Sequence, residues 1–428
     1  MARLSSKFPI LIGASWYFLE KFMRLIGAFL IGAWVARHLG PEGYGALAYA
    51  LALVTVLGFL GSLGIESLVV RDLVEGRRDQ RGILSTYFFT RLIGSILVPF
   101  IATGYLLLTH VDDKQLILLA CLCSGVVVFG AFDAADCWLQ ARNEARTTSL
   151  IRLIGFLVGA ASRCLMILFG ASVEWFAAVA LIEGLVIGTL YYRLLDRHGL
   201  TPAWKLVKLA EFKHLVVSGK MMVFSGLTVA IYSKIDVLVI GALLSKENVG
   251  SYAIAASMCG AWNMVGMSVS QAWATRISQA RTVGAQAYVQ EVRSLLKAML
   301  LISLFGSIVM TVFSELIFKV LLGPAFANSA TIFPLLIWAS VPIFLGIATS
   351  QIIVNERTYW VSMLRTTVGM VVSIIAIVPA VNHYGTMGAA GVVIFSACIN
   401  VPLVLVSRQA RQIISAVLRA QPIKTSAS

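Results

Sequence analysis

The chain has 428 residues, of which 59% are hydrophobic and 13% charged, and its formal net charge is +14. Its mean hydropathy of +0.88 and its apolar fraction exceed those of an ordinary soluble domain, which is about 45–50% apolar. No polar stretch is longer than roughly 25 residues, too short for an extramembrane domain, so the composition excludes a soluble protein and predicts an integral membrane protein.

Twelve apolar runs are long enough to cross a bilayer as helices, which takes about 20 residues each. The runs are continuous rather than alternating, which predicts helices and not barrel strands. The first six are Phe8–Val35, Tyr44–Val70, Ile83–Leu108, Leu116–Trp138, Leu150–Phe169 and Trp175–Leu194. The last six are Leu215–Leu244, Tyr252–Ala274, Leu295–Leu322, Ile332–Val354, Tyr359–Val381 and Gly388–Val406.

The charges between these runs predict their orientation. If the N-terminus is cytoplasmic, most of the 34 Lys and Arg residues lie in the loops of that side, and the opposite side holds only Arg37, Lys114 and Lys246. This bias satisfies the positive-inside rule and predicts that both termini are cytoplasmic. The positive charge therefore indicates topology rather than nucleic-acid binding.

An internal repeat divides the chain into two halves. The stretch "LGPEGYGALAYA" (Leu39–Ala50) follows the first run, and "LSKENVGSYAIA" (Leu244–Ala255) follows the seventh, with a shared acid and glycine. Parallel repeats in transporters form two bundles with the substrate site between them. We therefore predict an all-α membrane protein in which residues 1–195 and 215–407 form six-helix bundles around a central cavity, 196–214 a cytoplasmic linker and 408–428 a cytoplasmic tail.

Eight cations fall inside the predicted spans, where each would cost about 2.5–3.5 kcal/mol if it faced lipid. Arg24 has a possible partner nearby, because Glu20 lies four residues before it and so on the same face of a helix. Snorkelling towards the interface is an open alternative for Arg91 and Arg365. The eight are Lys21, Arg24, Arg91, Arg163, Lys220, Lys234, Lys319 and Arg365.

Acids inside the spans are fewer. Asp133 and Asp136 lie near a predicted cytoplasmic end, where Arg142 or Arg146 could neutralise them. Glu183 has no opposite charge within a turn, so it must find a partner on another helix or take up a proton. Glu183, Asp236 and Glu20 are therefore candidates for a coupling-ion site or for supporting the cations.

The deepest cations, Arg24, Arg163 and Lys220, predict a wet, cationic surface that binds an anion, since guanidinium groups bind phosphate oxygens bidentately. Lys21, Lys234 and Arg91 are further candidates for this surface. Four aromatic residues, Trp16, Tyr17, Tyr232 and Trp262, could stack on sugar rings or serve only in packing and at the interface.

The sequence contains neither an ATP-binding motif nor a motif for a metal or catalytic site. The chain lacks a G-x-x-x-x-G-K-[ST] loop, so transport would draw on an ion gradient, the membrane potential or the substrate's own gradient rather than on ATP. Its cysteines and histidines do not have metal-ligand spacing, and no nucleophile triad is evident, so neither a cofactor, a metal nor a catalytic residue is predicted.

Five stretches carry a resemblance to a known family: "ARHLGPEGYGALAYALAL", "FDAADCWLQARNEAR", "YSKIDVLVIGALLSKENVGSYAIA", "LLGPAF" and "GTMGAAGVV". With them the chain resembles the bacterial polysaccharide flippases of the O-antigen type, within the superfamily that also contains multidrug and toxin exporters and lipid II flippases. The motifs specify the fold better than the substrate.

This resemblance implies a multi-pass protein of the bacterial inner membrane. It would move an undecaprenyl-pyrophosphate-linked oligosaccharide from the cytoplasmic to the periplasmic leaflet by alternating access. Candidate protein partners are a polysaccharide polymerase and chain-length proteins.

Two alternatives stay open. A multidrug exporter of the same superfamily would require an acidic cavity for cationic drugs, whereas cations outnumber acids here. A membrane glycosyltransferase or polymerase of the same pathway would require a larger outer loop than "THVDDKQ".

Overall fold

The computed structural model describes residues 8–76, 79–109, 111 and 113–419; side chains are described from residue 23 onwards, except at 25, 26, 418 and 419. Every regular element of these residues is a helix. The chain divides into two compact units, of which the first ends at Ala230 and the second begins at Ile231.

The first unit is built from long apolar helices joined by short turns. Its helices are α1 (Phe8–Ser62), α2 (Glu66–Glu75), α3 (Gln80–Thr109), α4 (Lys114–Phe129), α5 (Asp133–Ala141), α6 (Ala145–Leu168), α7 (Val173–Arg197) and α8 (Leu209–Tyr232), whose last two residues enter the second unit. A single 3-10 turn (Gly130–Phe132) joins α4 to α5, and another (Trp204–Leu206) precedes α8.

The second unit follows the same pattern. Its helices are α9 (Ile235–Leu243), α10 (Lys246–Val283), α11 (Ala285–Val312), α12 (Ser314–Leu321), α13 (Ala327–Trp338), α14 (Ser340–Asn355), α15 (Tyr359–Asn400) and α16 (Arg408–Arg419). Short 3-10 turns lie before α13 (Pro324–Phe326) and after α15 (Pro402–Val406).

Every predicted span falls mainly on helical residues, which confirms the all-α prediction. Within the described part of the chain, nine helices or helix groups are long and apolar enough to cross a membrane. The seventh predicted span is interrupted, because the turn at Ser233 and Lys234 separates α8 from α9. The count of twelve crossings and the cytoplasmic side of the termini stay predictions.

Two of the long helices contain a glycine joint. Gly40 has φ 69° and ψ 175° inside α1, and Gly385 has φ 59° and ψ −140° inside α15. These torsions suit glycine alone because a Cβ would collide with the backbone. Each joint turns the chain between two predicted spans without a loop.

Both copies of the sequence repeat lie at a junction between helical segments. The first copy contains the Gly40 joint, followed by Pro41 at the start of a new helical segment, where its fixed φ is favourable. The second copy contains Ser245, whose Oγ accepts a hydrogen bond from the backbone N–H of Asn248 at 3.4 Å and caps α10.

Aromatic and aliphatic side chains from α3, α5 and α7 form the core of the first unit. Tyr87, Trp138 and Tyr191 are buried there among leucines such as Leu84 and Leu195. This core lies close to the ends of the helices where the charged residues of α2, α3 and α5 meet, and so supports their positions.

The predicted linker, residues 196–214, packs on the first unit. The Arg81 Nε donates a hydrogen bond to the Thr201 carbonyl at 3.2 Å, and the Trp204 ring meets Phe89 edge-on at 4.9 Å between centroids. The predicted domain limits remain a prediction, but the first compact unit extends past this linker and includes most of α8.

The C-terminal helix α16 contributes to the core of the second unit. Ala410 and Ile413 are buried in the same cluster as Phe344, Met299 and Ile352. The polar face of α16 carries exposed Arg and Gln side chains. The first part of the predicted cytoplasmic tail is therefore an amphipathic helix packed on its own unit.

Candidate functional site

Arg163 on α6 and Glu183 on α7 form an ion pair within the first unit. The Arg163 Nη2 donates to the Glu183 Oε2 at 3.0 Å, and each side chain is 26% exposed. Gly159 makes this contact possible, because a Cβ there would lie 2.5 Å from the Glu183 Oε2. Of the two alternatives for Glu183, the structure shows a partner on another helix.

Arg91 on α3 connects two acids. Its Nη1 donates to the Glu66 Oε1 and its Nη2 to the Asp133 Oδ2, both at 2.8 Å. The Tyr87 hydroxyl accepts a further hydrogen bond from the Nη1 at 2.6 Å. The Arg91 side chain is only 12% exposed, and its guanidinium is paired with two carboxylates of the first unit.

Asp136 has a different cation from Asp133. The Arg152 Nη2 donates to the Asp136 Oδ2 at 2.6 Å, and the Gln140 amide donates to the same oxygen at 2.9 Å. The sequence offered Arg142 or Arg146 as the cation for these acids, whereas the structure pairs them with Arg91 and Arg152. The Arg142 guanidinium instead lies over the Trp138 ring, 4.6 Å from its centroid.

The other predicted cations differ in burial. Arg24 is half-buried, Lys220 is exposed, and Lys234 is half-buried at the turn between α8 and α9. Arg24, Arg163 and Lys220 all belong to the first unit. The side chains of Lys21 and Glu20 lie outside the described residues. The assignment of Lys21, Arg24, Arg91, Arg163, Lys220 and Lys234 to a substrate surface stays a prediction.

Asp236 stands in the first turn of α9, where a negative charge is favourable. Its Oδ2 accepts a hydrogen bond from the Tyr252 hydroxyl at 2.8 Å, and its Oδ1 accepts one from the Val237 N–H at 2.8 Å. Both carboxylate oxygens are therefore satisfied within the second unit. The role of Asp236 and Glu183 as coupling-ion residues stays a prediction.

Two of the four predicted aromatic residues have described side chains. Trp262 stacks on Phe344 with ring centroids 5.8 Å apart and lies against Gly306, which places it in helix packing. The Tyr232 hydroxyl is hydrogen-bonded to the Ser396 Oγ at 3.1 Å. The side chains of Trp16 and Tyr17 lie outside the described residues.

The sequence pattern did not indicate the partners of these charges. Glu66 and Asp133 are far from Arg91 along the chain, so only packing brings them together. One local signal was available, because Tyr87 and Arg91 are four residues apart on α3 and therefore share a helix face. Asn400, which donates to the Tyr232 hydroxyl at 3.3 Å, has no comparable local signal.

Solved structures with the same arrangement of helices are transport proteins. An inward-facing multidrug resistance MATE family transporter of the MOP superfamily is 18% identical, with a TM-score of 0.68 over 94% of this chain and 96% of the other. Lipid II flippase MurJ in an inward closed conformation is 14% identical, with a TM-score of 0.71 over 94% and 90%. The Vibrio cholerae MATE transporter VcmN in the bent form is 11% identical, with a TM-score of 0.53 over 96% and 98%.

These likenesses show that the chain has the fold of the MATE transporter and MurJ structures. The family model described as polysaccharide biosynthesis protein matches residues 10–281, and the MatE model matches 222–379. The first match covers more than half of the chain, so the chain belongs to the polysaccharide biosynthesis protein family. No curated protein matches it.

Proposed function

We propose that the protein is a flippase that moves a polyprenyl-diphosphate-linked oligosaccharide across the bacterial inner membrane, from the cytoplasmic to the periplasmic leaflet. The observation that carries this proposal is membership of the polysaccharide biosynthesis protein family, in a chain with the fold of membrane transporters. The cargo would be a repeat unit of O-antigen or of an exopolysaccharide. An ion gradient or the membrane potential would drive the motion by alternating access.

Intramembrane charge supports an anionic cargo. The described acids Glu66, Asp133, Asp136, Glu183 and Asp236 each accept hydrogen bonds from a protein donor. Because a carboxylate that is already bonded loses those bonds when it binds a cation, these acids are poor sites for a cationic solute. Two of the span cations, Arg91 and Arg163, are the partners of these acids, so Arg163 would recognise a diphosphate by exchanging the Glu183 carboxylate for a phosphate group.

Within this proposal, Arg24, Arg163 and Lys220 bind the phosphate groups or acidic sugars of the cargo. Replacing each with Ala should abolish flipping while membrane levels of the protein hold. Arg163 needs a second variant, since its loss also leaves Glu183 without a cation. The pair Arg163→Gln with Glu183→Gln removes both charges together, so stability should recover while flipping stays lost.

Flipping is measured with purified protein in liposomes that contain a fluorescent undecaprenyl-diphosphate oligosaccharide, under an imposed proton or sodium gradient and membrane potential. A membrane-impermeant reductant bleaches the outer leaflet, so a working flippase lowers the protected fluorescence below that of protein-free vesicles. Arg276→Ala serves as a matched control, because this exposed arginine pairs with Glu291 in the second unit. Protection equal to that of protein-free vesicles would refute the flippase proposal, and full flipping by all three Ala variants would refute the site.

A multidrug exporter is the second candidate, because the MatE model matches residues 222–379. The discriminating measurement is accumulation of a cationic dye in the same liposomes under a proton or sodium gradient. The flippase proposal predicts no gradient-dependent dye transport. Dye transport without lipid flipping would establish the exporter instead.

A further inference from the structure

A polar cavity of about 230 Å³ lies within the second unit, bordered by α14 and both halves of α15. It is smaller than the roughly 300–1,000 Å³ of pockets for drug-sized ligands, so it suits one headgroup-sized group rather than a whole glycan. Six of the lining residues have polar side chains: Tyr232, Ser350, Ser362, Arg365, Thr366 and Asn400.

The cavity is bordered by several of the predicted spans. Arg365 comes six residues after Tyr359, the first residue of α15, which corresponds to about 9 Å along a helix that rises 1.5 Å per residue. Gly346 comes nine residues before Asn355, the last residue of α14, or about 13 Å. Both residues therefore belong to predicted spans, where a cation needs a partner.

Arg365 has only weak neutral partners. Its Nη1 donates to the Gly346 carbonyl at 3.4 Å and to the Thr349 Oγ1 at 3.2 Å, and its buried Nε has no hydrogen-bond partner. Among the described residues no carboxylate lies within 4 Å of it, whereas Arg91 and Arg163 each have one at 3.0 Å or less. The charge of Arg365 is therefore left without a counter-ion in the described part of the protein.

The groups around Arg365 are held in place and keep hydrogen-bonding capacity. The Asn400 amide donates to the Tyr232 hydroxyl at 3.3 Å, while the buried Asn400 Oδ1 has no partner among the described residues. Gly346 lets the guanidinium lie directly against α14, because a Cβ there would be 2.7 Å from the Arg365 Nη2. The cavity thus combines one cation, a fixed polar wall and a lining without acids.

We propose that this cavity binds a phosphate group through Arg365, and that the phosphate belongs to the polyprenyl diphosphate carrier of the cargo. A guanidinium binds phosphate oxygens with two parallel N–H donors, which would supply the counter-ion that Arg365 lacks. Hydroxyl and amide groups of the cavity wall would complete the hydrogen bonds. This assignment rests on the proposed flippase function, and it places a recognition site for the carrier in the second unit.

The experiment measures binding to the purified full-length protein by isothermal titration with three probes: farnesyl diphosphate, inorganic pyrophosphate and farnesol. The protein should bind farnesyl diphosphate, and Arg365→Gln should raise the Kd about tenfold or more, as expected for loss of a charged hydrogen-bonding group. Arg365→Lys keeps the charge but loses the planar pair of donors, so its Kd should fall between the two. Arg276→Gln, at an exposed arginine of the same unit, should leave the Kd within about twofold.

Each probe identifies a different source of binding. Arg365-dependent binding of farnesyl diphosphate but not of pyrophosphate supports the lipid carrier, and equal affinity for pyrophosphate reassigns the site to a free anion. Unchanged affinity in Arg365→Gln, equal binding of farnesol, or no binding of any probe to the wild type overturns the proposal. If Arg365→Gln does not reach the membrane, the Kd of Arg365→Lys for farnesyl diphosphate is compared with that of the wild type instead, and an unchanged Kd overturns the proposal. Flipping by the wild-type protein in liposomes tests the proposed function separately.

Discussion

Glu66 and Asp133 each accept one hydrogen bond from the same guanidinium, that of Arg91. This arrangement links α2, α3 and α5 through a single side chain. If the guanidinium is removed, two carboxylates near the buried core of the first unit are left without their cation. The energetic cost is then mainly that of the unpaired acids rather than of the lost bonds.

We expect Arg91→Met to destabilise the protein by about 3 kcal/mol, at the lower end for a broken buried pair because Glu66 keeps some contact with solvent. Thermal unfolding of the purified protein measures the change. Arg142→Met is the control, since Arg142 is exposed and contacts Trp138 only across its ring; it should cost about 1 kcal/mol or less. Equal effects of the two variants would contradict a stabilising role of the Arg91 cluster.

Residue spacing predicted that the charged residues inside the spans need partners, but it did not predict which residues those partners are. Glu183 was expected to find a partner on another helix or to take up a proton, and the structure gives it Arg163 as a partner. For Asp133 and Asp136, nearness along the chain favoured Arg142 or Arg146, whereas the structure pairs them with Arg91 and Arg152. Only the packing of helices determines such pairs.

At the scale of the helix, α6 and α7 approach each other along a face with small residues. Beyond its contact with Glu183, a Cβ at Gly159 would lie 2.9 Å from the Arg163 Nη1, and one at Gly155 would clash with Ile187 on α7. Small residues let helix backbones approach closely in membranes. The ion pair and the close packing therefore depend on each other.

Gly155→Ala should therefore separate α6 from α7 and lower stability by about 1–3 kcal/mol, the usual cost of overpacking, because its Cβ would clash with the branched Ile187 side chain close to the α7 backbone. Gly104→Ala is the matched control within α3, because a Cβ there meets no described atom within 4 Å; it should be neutral or stabilise by up to about 1 kcal/mol. Thermal unfolding and the membrane level of each variant are compared. A neutral Gly155→Ala would show that the two helices can move apart without cost.

The sequence predicted which segments form helices, but it did not predict where a helix is interrupted. Hydrophobic runs of sufficient length marked all twelve predicted segments. The interruption between α8 and α9 occurs at Ser233 and Lys234, which include neither the glycine nor the proline that normally signals a break.

At the scale of the whole molecule, α8 shows why the division into units differs from the polar boundary in the sequence. A Cβ at Gly219 would lie 2.7 Å from the Ile65 Cγ2, and one at Gly226 would lie 2.5 Å from the Phe59 Cε2. These glycines hold α8 tightly against the first unit. Composition reveals the polar linker. It does not reveal that α8 packs with the first unit, because that packing depends on the glycine contacts of α8.

The burial of α16 predicts that the C-terminal segment stabilises the second unit. Truncation after Ser407 removes the buried side chains of Ala410, Ile413, Ala416 and Val417, so we expect a loss on the order of 3 kcal/mol from the apolar area exposed. Thermal unfolding of the truncated protein measures it. Truncation after Arg419 keeps α16 and should unfold as the full chain does; equal unfolding temperatures for both truncations would refute the prediction.

The joints at Gly40 and Gly385 differ from the crowded glycines in one respect. Apart from the neighbouring residues of the same helix, no described atom lies within 4 Å of the position that a Cβ would take at either of them. No other helix therefore blocks a methyl group there, but the local backbone torsions strain any L-amino acid. At each joint it is the path of the chain itself, and not the packing around it, that restricts the position to glycine.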